Sequence, residues 1–397
     1  MNPKGMLLCG DWAPQKRKVE TSLAGLIVIN IECPIFLSEP VESFRAIKAG
    51  PLIFNLSSPD SKFNVVAILS NNHLFDYGIK GFQETLRVIK ANNWIAVGAG
   101  LSKKEASAPV FFEWEGKRVA VLARCETQFG VAQVNRPGVA ALDSTVFEQI
   151  REVKKEADIV IASIHAAAEM LPWPSPSRQD FCRALIDAGA DIVHGHHAHV
   201  PQGWEEYNGG WIFYGLGNFC VDPAKWKWHQ NGLWSLTPEL LYYSEKIQIG
   251  FKTSVIEDQG EKIFVRESTE IERSEHFSYL DVCNKYLSDR VLLEGLWQEA
   301  SIRMYFHHYA EWLGFDSKKN WSFFRVVRRI LGKLKRFVTK KAALEYEKRE
   351  YLLRYHLFAC VSHSEAISTA LGVLGGELED LRTPETKILV DKWMIDS

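Results

Sequence analysis

The sequence lacks a disulfide framework. Its seven cysteines are odd in number and scattered, and no CxxC occurs. That argues against a cystine-stapled scaffold and a thiolate zinc site, and it suits a reducing compartment. Long apolar runs are missing too. No segment reaches about 18 uninterrupted apolar residues, so no spanning helix is expected, and the apolar run near the N-terminus is too short for a signal peptide. The expectation is a cytoplasmic protein, with a peripheral contact at the inner face of a membrane left open. Charge of one sign is not in excess: 47 basic residues face 49 acidic ones. No overall field points to nucleic acid, and none is expected as a partner. A GxxxxGK[ST] phosphate loop is absent, and the Gly-rich stretch VGAGLSKKEA does not supply one. Proline is absent between Pro238 and Pro384, which favours long helices there.

What is present begins with "DIVHGHHAHV", residues 191–200. Four of the chain's 12 histidines crowd into six positions after an apolar run. Short apolar, β-branched runs of this kind recur at 6–9, 26–31, 65–69, 94–97, 118–123, 159–164, 191–193 and 211–214. Runs of four to six such residues suit strands buried on both faces. Helical periodicity lies between several of them, at 78–92, 144–156 and 177–188. Strands alternating with helices indicate an α/β layered fold. Residues 111–121, with the Glu115-Gly116 turn, read as a hairpin. The texture changes after residue 240. Residues 246–271 alternate like strands, whereas 278–310 and 316–374 look helical. The expected organisation is a domain over 1–240, a strand-rich connector over 241–275 and a helical extension over 276–397.

Polar residues sit where the apolar runs stop. Asp11, Glu32, Asn72 with His73, His165 and the histidine cluster each follow a different run. In an open α/β sheet, ligands bind beyond the carboxyl ends of the strands. Imidazole, carboxylate and amide oxygen gathered there form a nitrogen–oxygen metal site. Such a donor set favours Mn, Fe or Zn over Mg. Two ions about 3.5–4 Å apart need a bridging group and several ligands each, and the chain can supply both. His197 and His199, two apart, would share a face on extended backbone. His194 and His196 are then surplus.

The segments "LLCGD", "INIECPI", "LSNNHLFDYGIKGFQETL", "VGAG", "ASIHAAAEM", "DAGADIVHGHHAHVPQGWEEYNG" and "IFYGLGNF" resemble, in order, the bacterial CapA family. That family is named for poly-γ-glutamate capsule synthesis and belongs to the calcineurin-like metallophosphoesterases. The resemblance runs from about Leu7 to Phe219, and its NNHxxDYG and GHHxH…LGNF motifs are specific. It implies a four-layered α/β/β/α sandwich, here with an α-rich C-terminal extension, and a dinuclear metal site. Asp11 would bind the first metal and Glu32 would bridge. Asn72 and His165 would bind the second, with His197 and His199 giving one imidazole per metal. His73 matches the position of a general acid. Asp76 would hold His73 or its loop, and Glu169 would orient His165 or touch substrate. Asn218, with Gly215 and Gly217, would support the metal loop, and Lys48 either meets an anionic substrate or is a solvated surface lysine.

Two departures stand out. Many phosphoesterases read Asp-x-His in the first motif, yet Trp12 and Ala13 follow Asp11. Where relatives often read His-Trp-Gly-x-Glu, this chain has His165-Ala166-Ala167-Ala168-Glu169. The first metal is therefore expected to be weakly held or open to solvent.

The site permits hydrolysis, by activating water and clamping a phosphoryl or carboxyl oxygen. The family name points to making or modifying a cell-surface polymer, with an anionic or polymeric substrate. The rival is a non-catalytic binding or scaffold component of a polymer-assembly complex. Residues 321–341 carry eight basic side chains and no acid, opposite an apolar face. Such a helix either packs on its own domain or lies on an anionic membrane surface.

Overall fold

The computed structural model describes residues 5–48, 50–243, 246–313 and 340–394. The basic stretch 321–341 therefore lies almost wholly outside the described residues.

Alternation along the buried strands builds the layers. In strand Met6–Ala13, Met6 and Leu8 point into one apolar layer, whereas Leu7 and Cys9 point into another. The first layer lies between two sheets: Val28 and Val66 of one meet Val119, Val121, Ile159 and Ile161 of the other. The second layer packs under helix Gly78–Ala91, through Phe82, Val88 and Ile89, and under Ile256, Ile263 and Val265. A third layer joins Leu122, Val160 and Val193 to helices Thr145–Lys154 and Pro176–Asp187. The order is α/β/β/α, as expected. Because both faces of each sheet are covered, its parallel strands read as continuous apolar runs.

Among the described residues the first sheet has seven strands. It runs from Ile95–Val97 through Phe63–Ile68 and Gly25–Ile31 to Met6–Ala13, all parallel. The far edge of Met6–Ala13 is shared. Its start pairs antiparallel with Glu239–Tyr243, and its end pairs parallel with Asn218–Val221. The second sheet has six strands, with Lys117–Cys125, Ile159–His165, Ile192–His196 and Gly210–Phe213 parallel. The hairpin read at 111–121 is there: Val110–Trp114 pairs with Lys117–Cys125 across Glu115 and Gly116, both at positive φ.

Three expectations shift. Strand Glu239–Tyr243 straddles residue 240 and joins the first sheet, where Leu240 registers with Met6, and Lys246–Gly250 pairs outside it as the sheet's edge. The strand read to 271 stops at Glu267. A capping box between Thr269 and Glu272 starts helix Glu270–Ser288 instead. The helix read over 278–310 is interrupted at Asp289, whose side chain caps a new helix, Arg290–Met304. Helices Arg290–Met304, Val361–Gly375 and Pro384–Trp393 form their own core around Leu296, Trp297, Ala366 and Trp393, onto which Leu171 and Trp173 also pack.

Among the described residues no single helix is long and apolar enough to cross a membrane. A bent pair, Leu344–Ala359 with Val361–Gly375, passes that test jointly.

Candidate metal centre

Register brings the polar residues to one rim. Asp11 lies opposite Asn30 on one side and Asn218 on the other. His165 lies opposite His196 in the second sheet. The backbones at this end approach closely. A Cβ on Gly10 would sit 1.9 Å from the Gly217 carbonyl oxygen, and Gly217 itself has φ 80°. Glycine is required at both positions.

All six sequence-predicted metal ligands converge here. Asp11, Glu32 and His199 offer ligand atoms within 4.8 Å of one another, and so do Glu32, His165 and His197. Glu32 belongs to both groups, the place a bridging carboxylate would take. The Asn72 side-chain oxygen lies 3.1 Å from His165 Nε2. His199 Nε2 is 3.4 Å from Glu32 Oε1, while its Nδ1 is 3.0 Å from the Asn218 side-chain oxygen. Asn218 thus holds that ring with Nε2 toward Glu32, while Nδ1 also lies 3.4 Å from Asp11 Oδ2.

His197 and His199 are not on extended backbone. The strand ends at His196, and both residues take left-handed φ, 84° and 58°. That conformation costs a non-glycine residue roughly 1–2 kcal/mol. Strain of this kind marks a functional loop, and here it turns both rings inward. His196 is not surplus either: it is buried, with Nδ1 3.1 Å from Asp11 Oδ1.

Asp11 and Glu32 are buried together and respond oppositely. Burial works to raise the Asp11 pKa, but the His196 hydrogen bond and the charges of His196, His199 and His165 push it well down. Burial and then the Asp11 charge push Glu32 well up. Asp11 Oδ2 and Glu32 Oε1 have no hydrogen-bond partner. Two buried carboxylate oxygens without a proton donor, facing imidazoles, fit divalent cations. Two more buried ring atoms, His196 Nε2 and His197 Nδ1, also lack partners.

The predicted catalytic residues form a second group. Asp76 Oδ2 lies 2.7 Å from His73 Nδ1, and Asp76 Oδ1 accepts from Lys48 Nζ at 2.5 Å. Asp76 is fully buried and does not line the cavity, so it positions His73 rather than meeting substrate. Lys48 is buried, not solvated. Burial, then Lys48, holds the His73 imidazole below its ordinary range. Glu169 is half exposed, 3.9 Å from His197 Nε2.

Several residues escaped the sequence reading. The Asn30 amide donates to Asp11 Oδ1 at 2.7 Å and lies 3.2 Å from His165 Nδ1. Glu126 and Gln128, just past the strand Lys117–Cys125, flank His197 at 3.5 and 3.1 Å. Position after a strand was their only signal. The helical extension also reaches the site. A cavity of about 540 Å³ is lined by Glu32, Lys48, His73, His197 and His199, and equally by Trp228, His308, Trp312, His356 and His363.

A family model described as bacterial capsule synthesis protein matches residues 11–223, more than half of the chain. The chain belongs to this family. The matched span contains every sequence-predicted site residue of the capsule-synthesis reading and ends before the helical extension. The CapA resemblance seen in the sequence therefore stands. PGA biosynthesis protein CapA of Bacillus subtilis is 40% identical over 159 residues, 39% of this chain and 42% of that one. Capsule biosynthesis protein CapA of Bacillus anthracis is 35% identical over 198 residues, 48% of this chain and 45% of that one. A probable polyglutamine synthesis accessory protein of Mycobacterium tuberculosis is 34% identical over 172 residues, 40% and 45% of the two chains. The chain spans less than half the length of these relatives. A solved structure of a novel phosphatase from Mycoplasma pneumoniae overlaps 70% of this chain and 99% of its own, at 11% identity and TM-score 0.35.

Proposed function

We propose that this chain is a metal-dependent enzyme acting in the synthesis of a capsule or other cell-surface polymer. The observation that carries this reading is the pair of partnerless oxygens, Asp11 Oδ2 and Glu32 Oε1, buried among histidines at the strand ends. The relatives named for capsule and polyglutamate synthesis supply the context.

Asp11, Glu32 and His199 would hold one divalent cation, and Glu32, Asn72, His165 and His197 the other. Mn, Fe or Zn suits these donors better than Mg. Bound there, the ions would supply a nucleophile from water near neutral pH and offset charge on a phosphoryl or carboxyl oxygen. The protein's own part is distinct. Asn30 and Asn218 orient the ligands. Asp76 binds His73 at Nδ1, so its Nε2 is the atom to exchange a proton with a leaving oxygen. Lys48 and the imidazoles suit an anionic, polymeric substrate. Hydrolysis and amide or ester transfer both fit this geometry. The site of action on this reading is cytoplasmic, with 321–341 making a peripheral membrane contact.

A second reading has its own support. Asp11 lacks the motif histidine of many phosphoesterases, and the mycobacterial relative is called an accessory protein. On that view the chain is a scaffold with a weakened site.

One experiment separates the two. The chain is purified without chelator, its metal counted by mass spectrometry, and phosphoester, peptide and γ-glutamyl substrates assayed with Mn(II). Near two equivalents with turnover supports the enzyme. No retained metal and no turnover ends that reading in favour of the scaffold.

A further inference from the structure

The helical extension carries a donor cluster of its own. Helix Lys340–Ala359 ends at Cys360, where the chain bends by 70° into helix Val361–Gly375. His356 lies in the last turn of the first helix, Cys360 at the bend and His363 in the first turn of the second. Their ligand atoms all lie within 4.8 Å of one another. Cys360 is 1% exposed. His356 Nδ1 is buried with no hydrogen-bond partner. His363 Nδ1 is 2.6 Å from the Tyr309 hydroxyl, which orients that ring. The two imidazoles meet edge to face, with centroids 4.5 Å apart.

We propose that His356, Cys360 and His363 form a separate site for a borderline-soft divalent transition ion, Zn(II) by preference. Two imidazoles and one thiolate are a zinc-type donor set, with bonds of about 2.0–2.3 Å. The carboxylate-rich centre offers no sulfur and selects differently. Three protein ligands leave a fourth position open, as in catalytic zinc sites. The cluster itself borders the shared space. His356 and His363 line the cavity that Glu32 and His197 line, and Cys360 and His363 line an adjoining cavity of about 460 Å³ with Glu126 and His197.

The cluster is also coupled mechanically to the main centre. Glu126 Oε2 accepts from the Ser362 backbone N–H at 3.0 Å and from its hydroxyl at 2.8 Å. The other oxygen of Glu126 lies 3.5 Å from His197 Nε2. His356 stacks on Phe129 with centroids 4.7 Å apart. An ion at Cys360 would pin the extension over the rim. The family match ends at residue 223, so the site lies outside the shared span.

Cobalt tests this, because a thiolate bound to Co(II) gives an intense near-ultraviolet charge-transfer band that nitrogen and oxygen ligands do not. Chelator-stripped full-length chain titrated with Co(II) should develop the band. It should persist in Asp11→Ala, disappear in Cys360→Ser, and need about 10–100-fold more cobalt in Tyr309→Phe, where the His363 ring loses its partner. No band in the unaltered chain overturns the proposal, as does a band that survives Cys360→Ser. Failure of the carboxylate centre to bind metal leaves the band untouched, so the two readings fail separately.

Discussion

His194 Nε2 donates to the Cys9 carbonyl oxygen at 3.0 Å, tying the second sheet to the first. Burial, and then the His196 charge, hold the His194 imidazole well below its ordinary range, which keeps the ring neutral. This histidine belongs to the frame of the molecule. His194→Ala is expected to lower the unfolding free energy by about 1–3 kcal/mol for the unmade hydrogen bond alone. Metal content should not change. Urea denaturation paired with metal analysis checks both.

Metal removal should cost stability. An ion held only by the folded chain contributes about 2.7 kcal/mol at a hundredfold excess over its dissociation constant. Chelator is therefore expected to lower the melting temperature, and Mn(II) to restore it. Glu32→Ala, which removes the side chain common to both ligand groups, should melt alike with and without Mn(II). An identical melt of the unaltered chain in chelator and in Mn(II) would sink the carboxylate centre.

Asp76→Asn should be severe. Lys48 and Asp76 are paired with side chains 5% and 0% exposed. Breaking a buried pair from one side typically costs about 3–5 kcal/mol, because the remaining charge is stranded. Lys48→Met leaves Asp76 behind instead, but that carboxylate keeps the Ile53 N–H at 2.8 Å and His73 Nδ1 at 2.7 Å, so it should cost less. A chemical-denaturation comparison of the two variants reads the difference.

Gly10→Ala should damage the site through the backbone. Its Cβ would meet the Gly217 carbonyl oxygen at 1.9 Å, which drives apart the strands that carry Asp11 and Asn218. The expected outcome is lost metal affinity with a lowered melting temperature. Gly116→Ala is the control: its Cβ meets nothing within 4 Å, so only the positive φ is penalised, at about 1 kcal/mol. Equal metal affinity in both variants would refute the steric argument.

His276 gives the protein an acid-side slope. Its ring lies parallel to Trp234 with centroids 4.0 Å apart, and burial pushes its pKa down to about 4. Above the ordinary value of 6.5 the ring is neutral in both states, and the stability is fully present. Below 6.5 the unfolded chain takes up a proton that the folded chain refuses until about pH 4. Stability should fall across that window. Urea midpoints measured from pH 7 to 4 should drop less steeply in His276→Gln.

Much of the sandwich was legible because covered sheets leave no polar face to confuse the pattern. The runs ending at Asp11, Asn30 and His165 each became a strand of the rim. Asn30 was passed over even so. An asparagine closing an apolar run looks like any strand stop, and its role appears only when Asp11 and His165 arrive from elsewhere. The left-handed turns at His197 and His199 were hidden for a similar reason. A histidine carries no glycine-like mark of positive φ, and only the strand's end at His196 reveals the turn. The reach of His356 and His363 into the cavity was out of view as well, since nothing local distinguishes a helix that covers a cleft from one that faces water.

The divided edge of strand Met6–Ala13 has a bearing on how the nascent chain matures. Its neighbours on that side, Asn218–Val221 and Glu239–Tyr243, are made only after the whole second sheet has been synthesised. Until then a row of unpaired amides and carbonyls stays open to pairing with a stranger. Fragments ending before residue 239 keep that edge partly bare, and aggregation rather than inactivity should be their hallmark.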